Sequence, residues 1–450
     1  MQSSPPDTAA TLDPTRRRLL KGALAAPVAL TAGAAAFGGE SSLGLATAQL
    51  PPASTGLDPS ALARDEAHWA RIGNFYARTE GITNLEHGYW GRMAEPVLQH
   101  YQQALARVNR DNSWYARRLY GADYEQARER VARLIGAEVD EVALTRNATE
   151  AVHNVIRQYR ELGPDDGVLL ADVDYPAFKR LVVSLGPDRG ARVVTLELPA
   201  RADQDELFAA YERAFEANPE LKLVLLTHAS NQHGLVLPVA RIADAARERG
   251  IHIVCDAAQS LGLLDFRIDD LRVDWAGFNL HKWIGAPLGL GALYMRRGTL
   301  GPVAPYPGES DPATPDVQRR IHTGTWDFAA AITIPAAVDF HERVGGAAKE
   351  ARLRYLRSRW TGPLAEVDGL EILGGRDEQA WSGMASFRLP GRSTADDANA
   401  LQQRLQDEFG IFTVARHGLA SGSCVRVTPQ VYTAAQEIDT LVAALREIAG

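Results

Sequence analysis

The residue with the clearest chemical potential is Lys282, a lysine in a largely apolar turn. It lies between His281 and Trp283 in DWAGFNLHKW (274–283), although lysine is seldom buried in proteins. Removing water from an ammonium lowers its pKa and leaves a neutral amine that can form a Schiff base with an aldehyde. A lone lysine at such a place is more often a solvated loop residue, so the prediction depends on the residues that accompany it.

Two further motifs supply the partners that such a lysine needs. IHIVCDAAQS (251–260) places Asp256 after an apolar run, and VALTRNATEAV (142–152) leads from a strand into a helix that starts near Ala148 and Thr149. A buried aspartate needs a cationic partner, and a helix N-terminus binds phosphate through its free N–H groups. Ligands of open α/β sheets bind at the carboxyl ends of strands, where these motifs would meet.

One cofactor, pyridoxal phosphate, matches all three features because it carries an aldehyde, a phosphate and a basic ring nitrogen. Lys282 would bind the aldehyde, the helix start at Thr149 would bind the phosphate, and Asp256 would keep the ring nitrogen protonated. Tyr175, in DVDYPAF (172–178), follows another predicted strand and is a candidate to stack on the ring. In each case a structural role is the alternative, and only the joint pattern favours the cofactor.

The elements that must position these residues alternate between strand and helix. Short apolar runs lie at 142–145, 167–172, 192–198, 221–228, 251–257 and 291–295, with helical patterns between several of them. This pattern predicts an α/β fold with a mostly parallel sheet covered on both faces. We predict an N-terminal segment and linker over 49–95, a large cofactor-binding domain over 96–330 and a smaller α+β domain over 331–450. A single long helix is predicted over 335–361.

Composition narrows the classes of protein. The chain has 450 residues, is 46% hydrophobic and carries a net charge of −8, which excludes general disorder and disfavours nucleic-acid partners. Two cysteines, Cys255 and Cys424, cannot build a disulfide scaffold or a structural zinc site. None of the 11 histidines pairs at HExxH spacing, so no metal site is predicted.

Residues 1–48 have the features of an export signal. Twin arginines in TRRRLLK (15–21) precede an uncharged, Ala- and Gly-rich stretch over 22–39, and the small-residue triplet ATA ends at Ala48. A permanent membrane anchor is less favoured, because Gly and Ala gain little in hydrocarbon and Pro27 interrupts the stretch. We predict a twin-arginine (Tat) signal that engages the Tat machinery, cleavage after Ala48, and a periplasmic or secreted protein.

These motifs resemble class V aminotransferases, pyridoxal-phosphate enzymes of fold type I, and among them the isopenicillin-N-epimerase-like group. The resemblance extends over NLEHGYWG (84–91), THASNQHGLVLPV (227–239), DAAQ (256–259), FNLHKW (278–283) and RVTPQVYTAAQEID (426–439). The spacing of 26 residues from the aspartate to the lysine also suits the family. The resemblance therefore covers nearly the whole chain after the leader.

The resemblance implies a role for each matching position around the cofactor ring. Lys282 would carry the cofactor and shuttle the α-proton, and Asp256 would pair with the ring nitrogen. Gln259 would neighbour the ring hydroxyl, and Asn231 would contact that hydroxyl or the substrate. The implied phosphate contacts are Ala148, Thr149, Asn279, His281 and, from the partner subunit, Thr325.

The resemblance also implies a substrate site and a quaternary structure. Arg426 would bind the substrate α-carboxylate, for which a guanidinium fork is well suited; a surface salt bridge is the alternative. Thr325 donated across an interface implies an obligate homodimer with shared active sites. Arg416, near His417, is a candidate to bind a second carboxylate, with a surface role as the alternative. Tyr89, Trp90 and Trp114 could line the substrate entrance, although aromatic residues at such places are more often core.

The expected function is an exported enzyme that acts on the amino group or α-carbon of an amino acid or a peptide-borne amino acid, as an aminotransferase or epimerase. In leader and motifs the chain resembles an exported relative that modifies the glutamate side chain of the siderophore pyoverdine, which implies tailoring of a secreted peptide. Cys424 lies only two residues before Arg426 and the preceding loop has no cysteine, so persulfide chemistry is disfavoured. A β- or γ-eliminating lyase and a non-catalytic binding protein remain alternatives.

Overall fold

The computed structural model describes residues 43–54, 56–308, 316–322 and 324–450. The strands are β1 Thr83–Asn84, β2 Val142–Thr145, β3 Gly167–Ala171, β4 Arg192–Leu196, β5 Arg201–Ala202, β6 Leu221–Thr227, β7 His252–Asp256, β8 Trp275–Asn279, β9 Gly291–Met295, β10 Glu371–Gly375, β11 Ala385–Arg388, β12 Ile411–Phe412, β13 Val414–Arg416 and β14 Cys424–Val427. The twin arginines of the predicted export signal lie outside the described residues.

The α-helices of the described residues alternate with these strands in the first part of the chain and cluster toward its end. They are α1 Pro59–Leu62, α2 Glu66–Gly73, α3 Glu95–Arg118, α4 Tyr120–Ile135, α5 Ala148–Gln158, α6 Pro176–Arg189, α7 Gln204–Ala217, α8 Val239–Glu248, α9 Ile268–Leu271, α10 Phe328–Ala331, α11 Ile334–Val344, α12 Gly346–Leu364, α13 Ala395–Phe409 and α14 Ala435–Ala449. None of these helices has the length and apolar character needed to cross a membrane.

The central sheet confirms the predicted α/β fold. Within the described residues it has seven strands in the order β2-β9-β8-β7-β6-β3-β4. The five strands from β8 to β4 run parallel, and β9 is antiparallel to both of its neighbours. Every residue of β2, β3, β8 and β9 is buried, as expected for a sheet covered on both faces.

Each face of the central sheet has its own hydrophobic core. Within β7, Ile253 and Cys255 belong to one core cluster and Val254 to another, because successive side chains of a strand point to opposite faces. Helix α5 packs its apolar side, including Val152 and Ile156, into the second cluster. The packing leaves the carboxyl ends of β7 and β8 at one edge of the sheet.

The smaller C-terminal domain is built on a second sheet with the order β13-β14-β11-β10-β5. Its core cluster includes Trp360, Phe387 and Leu441. Strand β5 joins this sheet from the first part of the chain by pairing parallel to β10, and β1 pairs parallel to β12. The predicted domain boundaries remain predictions, but these pairings tie distant segments to the C-terminal sheet.

The prediction of one long helix over 335–361 is wrong. The chain forms two helices, α11 and α12, with Gly345 between them at φ +91°. Glycine reaches positive φ without the steric cost that a Cβ brings, so the helix ends there and a new one begins at Gly346. The Gly345–Gly346 pair was visible in the sequence as the signal for this break.

The segment just before the predicted cleavage point packs against the folded chain. Leu43 is only 3% exposed and contacts a small apolar cluster that includes Ala104, Tyr115 and Ile332. The backbone N–H of Leu45 donates a hydrogen bond to the Asp339 carboxylate over 3.0 Å. Residues that belong to the predicted signal therefore contribute side chains to the core of this structure.

Candidate active site

One cavity of about 310 Å³ gathers most of the predicted site residues. It lies at the carboxyl ends of β7 and β8, which end at Asp256 and Asn279 and pair parallel to each other. The predicted residues that line it are Thr149, Tyr175, Asn231, Asp256, Gln259, Asn279, His281 and Lys282. The expectation that strand ends bring these motifs together agrees with this arrangement.

Lys282 and Asp256 share this cavity and influence each other electrostatically. Burial lowers the pKa of Lys282 to about 7, although Asp256 opposes the fall and Arg426 adds to it. Burial raises the pKa of Asp256 to about 6, while a hydrogen bond from the Ala258 N–H and the charge of Lys282 act in the other direction. A substantial fraction of the lysine is therefore a neutral amine near neutral pH, the state that attacks a carbonyl carbon.

The start of α5 is arranged to receive an anion. The Asn147 side chain accepts a hydrogen bond from the Glu150 N–H over 2.8 Å, and the Asn279 side chain accepts one from the Ala148 N–H over 2.9 Å. The first N–H groups of a helix have no partner within it. Because Ala148 and Glu150 are engaged, Thr149, which lines the cavity, is the residue of this turn left to offer its N–H to a phosphate.

His281 lies in the cavity wall as a neutral imidazole. Burial lowers its pKa to about 4, which the nearby Lys282 reinforces and a hydrogen bond to the Leu290 carbonyl opposes. Because a carbonyl oxygen only accepts, Nδ1 carries the proton in this 2.7 Å bond. The free Nε2 would donate to a phosphate only after taking up a second proton, which an adjacent anion would favour.

Gln259 holds two backbone segments of the site together. Its side-chain nitrogen donates to the Gly88 carbonyl over 2.8 Å, and its oxygen accepts from the Trp283 indole over 3.1 Å. Asn231 also lines the cavity, and its backbone carbonyl accepts a 2.7 Å hydrogen bond from Arg426. Gln259 therefore fastens the NLEHGYWG segment to the turn that carries Lys282.

The glycines of NLEHGYWG allow this segment to lie against the site. A Cβ on Gly91 would overlap the Lys282 carbonyl oxygen, and the Gly91 N–H donates to the His281 carbonyl over 2.8 Å. A Cβ on Gly88 would lie 2.5 Å from Nη2 of Arg426. At these two positions the backbone lies so close to its neighbours that there is no space for a Cβ, so only glycine can be accommodated.

The structure does not place Arg426 in the cavity wall. Its guanidinium is fully buried and binds both carboxylate oxygens of Glu86 at 2.7 and 2.8 Å. Burial would raise the pKa of Glu86, but Arg426 overcomes this and holds it below its usual value. The arginine that lines the cavity is Arg416. It makes no ion pair with any described residue, and its Nε lacks a hydrogen-bond partner.

The remaining predicted residues have varied positions. Thr325 is exposed and is not among the residues that line the cavity; its predicted contact would lie in a partner subunit. Tyr89 lines the cavity and is exposed, with Trp90 beside it at 5.0 Å between ring centroids. Trp114 is exposed on α3 and does not line the cavity. The expectation that these aromatic residues are more often core is wrong, because all three are exposed.

Neither cysteine is placed to react in this cavity. Cys255 and Cys424 are fully buried, and neither lines it. Burial raises the pKa of the Cys424 thiol to about 11 and that of Cys255 well above its usual value. Both thiols are therefore protonated at neutral pH, and a thiolate is the form that acts as a nucleophile.

Sequence reasoning missed two acids near the site and part of its apolar wall. Asp174 lies close to Asp256 and accepts hydrogen bonds from the Thr227 hydroxyl and the Ala171 N–H, while burial raises its pKa to about 7. Glu86, the partner of Arg426, lies in the NLEHGYWG motif, and its membership of that motif could have identified it as a residue near the site. The missed lining residues are Gly88, Phe178, Ala258, Leu288 and Gly289.

The side chains present suit pyridoxal phosphate. Lys282 offers an amine with a lowered pKa, Asp256 a buried acid whose charged form a protonated ring nitrogen would favour, and the start of α5 an N–H for the phosphate. Tyr175 stands at the cavity wall, where an aromatic ring can cover the cofactor. The cavity volume is within the range of small-ligand sites, roughly 300–1,000 Å³.

Comparison with known proteins supports the same conclusion. The family model of aminotransferase class-V matches residues 92–441. Isopenicillin N epimerase of Streptomyces clavuligerus is 29% identical over 386 residues, which cover 82% of this chain and 95% of the relative. Cysteine desulfurase of Haloferax volcanii is 29% identical over 348 residues, which cover 72% and 78%.

A solved structure shows that the likeness extends to the fold. The complex of the cystine C–S lyase C-DES with cysteine persulfide superposes with a TM-score of 0.72 at 22% identity, covering 82% of this chain and 98% of that one. At this identity the likeness supports the architecture, while the family match over most of the chain is the stronger finding. The chain therefore belongs to the class-V aminotransferase family, whose pyridoxal-phosphate chemistry the residues of the cavity suit.

Proposed function

We propose that this chain is an exported pyridoxal-phosphate enzyme that acts at the amino group or α-carbon of an amino acid, free or carried by a peptide. The observation that carries the proposal is the presence of both Lys282 and Asp256 in the wall of one cavity, beside the start of α5. Either residue alone could have a purely structural role. A lysine and an acid whose pKa values are both displaced toward neutrality, in one cleft, are characteristic of a catalytic site.

The roles of the chain's own residues follow from their positions. When bound, pyridoxal phosphate supplies an aldehyde carbon and a ring that withdraws electrons. Nζ of Lys282 would hold the cofactor through that carbon and, once free, would carry the proton exchanged at the substrate α-carbon. Asp256 would hold the proton on the ring nitrogen, and Arg416, which lines the same cavity, would orient a substrate carboxylate.

Transaminase or epimerase chemistry is favoured over persulfide chemistry. The chain has two cysteines, and both are buried outside the cavity with raised pKa values. The relatives named cysteine desulfurase therefore share the family but do not carry their reaction over to this chain. Isopenicillin N epimerase is among the relatives that cover most of the chain, and proton exchange at the α-carbon needs no cysteine.

An eliminating lyase is the second candidate function. It is favoured by the C–S lyase among the fold neighbours and needs no cysteine in the enzyme. Release of pyruvate or sulfide from cysteine or cystine by the purified protein would support it. Retention of the carbon skeleton, with inversion at the α-carbon or formation of a keto acid, would support the first candidate.

Replacement of Lys282 tests the assignment directly. We expect Lys282→Ala to fold, to lose the covalent link to the cofactor and to lose turnover by about 10²–10⁴-fold or more, the range of proton-transfer catalysis. Borohydride reduction followed by mass spectrometry of the peptide around residue 282 measures the link. Lys222→Ala, an exposed lysine on β6, is the control. Unchanged turnover in Lys282→Ala would refute the proposal.

The substrate can be found from the absorbance of the cofactor. Amino acids and short peptides are mixed with the purified protein, and an absorbance change that saturates with concentration identifies a compound that reaches Lys282. Product analysis then identifies the bond that is broken. A protein that stays colourless after incubation with pyridoxal phosphate would instead support a non-catalytic binding role.

Export is part of the proposal and rests on the leader sequence. The twin arginines and the triplet ending at Ala48 support a Tat signal, and Tat transports proteins that have already folded with their cofactor. Peptide sequencing of the exported protein should find Gln49 as its first residue. Replacement of both Arg16 and Arg17 by Lys should hold the protein in the cytoplasm, whereas an unchanged distribution would contradict the proposal.

A further inference from the structure

A second cavity, of about 200 Å³, lies between helix α12 and the strands β5 and β10. It shares no lining residue with the active-site cavity. The charged residues among the described side chains that line it are Arg201, Arg357 and Arg376, and none of the lining residues is Asp or Glu. The cavity is therefore positively charged.

Arg357 is the central residue of this cavity. It is 5% exposed, and no carboxylate of the described residues lies within ion-pair distance of its guanidinium. Its Nε has no hydrogen-bond partner, and Nη1 reaches only the Thr361 hydroxyl, at 3.5 Å. Burial, reinforced by the charges of Arg354 and Arg201, lowers its pKa to about 10. A buried charge is costly unless it is paired.

Neighbouring residues provide further donors without neutralising Arg357. Trp381 lies under the guanidinium, with 4.2 Å between the Cζ atom and the ring centroid, and its indole Nε1 is also buried without a partner. Arg376 is neutralised by Asp203 and Glu206. Arg201, by contrast, has an exposed side chain and no ion pair with a described residue.

We propose that this cavity is a binding site for a small oxoanion, a phosphate or a small carboxylate, held by Arg357, Arg201 and the Trp381 indole. A planar guanidinium presents parallel N–H donors that match the oxygens of such an anion. The volume limits the ligand to a small molecule or a single anionic group. The anion would provide the counter-charge that the described part of the chain does not give to Arg357.

The position of the site gives binding a structural consequence. Arg201 belongs to β5, which pairs with β10 through Gly374, while Arg357 belongs to α12. An anion that contacts both arginines would connect the strand contributed by the first part of the chain to the long helix of the C-terminal part. Because only the folded chain assembles the site, binding should raise the stability of the protein.

The test uses the cofactor-loaded protein, because the bound cofactor fills the phosphate site of the active-site cavity. Free phosphate and sulfate are removed before the titration. Inorganic phosphate, sulfate and succinate are titrated separately, with thermal unfolding and calorimetry as readouts. We expect a saturable rise in melting temperature with at least one of them, and the preferred anion distinguishes a phosphate site from a carboxylate site. The cofactor absorbance should stay unchanged during the titration.

Three variants decide the outcome. Arg357→Gln should weaken binding roughly ten- to hundredfold, the loss expected when charge-assisted hydrogen bonds are removed. Arg201→Gln changes an exposed side chain and should weaken binding without affecting folding. If Arg357→Gln does not fold, the result with Arg201→Gln decides the test. Arg404→Gln, which loses only an exposed pair with Glu408, is the control. No saturable response to any of the three anions, or unchanged affinity in the cavity variants, would overturn the proposal.

Discussion

Arg416 and Arg426 stand ten residues apart in the chain and differ in whether a carboxylate pairs with them. Arg426 is enclosed and bound by Glu86, whereas Arg416 faces the cavity with no ion pair to a described residue. Burial, and the repulsion of Arg426, lowers the pKa of Arg416 to about 10, still well above neutrality. The resemblance to the family assigns the substrate carboxylate to Arg426, and that role stays a prediction, but Arg416 is the cation that the cavity offers without breaking an existing pair.

The two arginines should respond differently to the same substitution. Arg426→Gln would leave the buried carboxylate of Glu86 without its partner and should lower the free energy of unfolding by about 3–5 kcal/mol. Arg416→Gln removes an unpaired charge and should change that free energy by less than about 1 kcal/mol. Urea unfolding of both variants measures the difference. Equal losses would show that Arg416 also has a structural partner.

The kinetics of Arg416→Gln identify its role in binding. For a substrate with a second carboxylate, KM should rise roughly tenfold or more, because a charge-assisted hydrogen bond is lost. For a substrate without that group, the parameters should stay close to those of the unchanged enzyme. The same rise for both classes would mean that Arg416 contacts a group common to all substrates, and no rise for either would exclude it from binding.

The pKa of Lys282 near 7 predicts the pH dependence of cofactor uptake. Only the neutral amine attacks the aldehyde, so the initial rate at which the apoprotein takes up pyridoxal phosphate should rise from pH 6 to pH 8 and then level off. An ordinary lysine, with a pKa near 10.4, would keep accelerating by about tenfold per pH unit through this range. Stopped-flow absorbance measures the rate, and continued acceleration to pH 10 would contradict the lowered pKa.

The element that most depends on exact packing is the glycine-rich segment NLEHGYWG (84–91). Its Gln259 and His281 contacts fix it against the turn of Lys282, and Gly91 leaves no room for a side chain. The sequence showed that this segment mattered but not what it touches, because its contacts lie about 170 to 340 residues away in the chain. Long-range contacts of this kind are not contained in local spacing.

Gly91→Ala should displace the turn that carries Lys282. The added methyl group would overlap the Lys282 carbonyl, and backbone shifts of this kind cost typically about 1–3 kcal/mol. We expect a lower melting temperature and loss of the covalent cofactor link, measured by absorbance. Gly121→Ala, where a Cβ meets open space, should be neutral or stabilising. Normal cofactor binding by Gly91→Ala would show that the two segments are not in contact.

At the scale of the whole molecule, local patterns predicted the central sheet well. The strands at 142–145 and 291–295 were predicted with their observed bounds, since short apolar runs between helical patterns are typical of buried strands. Helices α6 and α13 were not predicted, and the break at Gly345 was missed. The eight predicted residues in the cavity converge because strand ends meet at one edge, whereas the Glu86 pair with Arg426 depends on tertiary packing alone.

Quaternary structure gives the molecular-scale prediction. We expect the protein to sediment as a homodimer and Thr325→Val to weaken cofactor affinity roughly tenfold, the effect of one lost hydrogen bond to a charged phosphate. Sedimentation and cofactor titration measure the two quantities. Thr440→Val, an exposed threonine on α14, is the control. A monomer that binds the cofactor with unchanged affinity would contradict both the dimer and the shared site.

The burial of Leu43 bears on the predicted cleavage after Ala48. A peptidase that cuts after Ala48 would separate Leu43 from the rest of the chain. Leu43 could then leave the apolar cluster that it forms with Ala104, Tyr115 and Ile332. The loss of Leu43 would expose the apolar side chains of this cluster to water, which is unfavourable. In the precursor, Leu43 would thus cover this apolar surface. In the mature protein, the surface would be exposed and available to an apolar side chain of a neighbouring molecule.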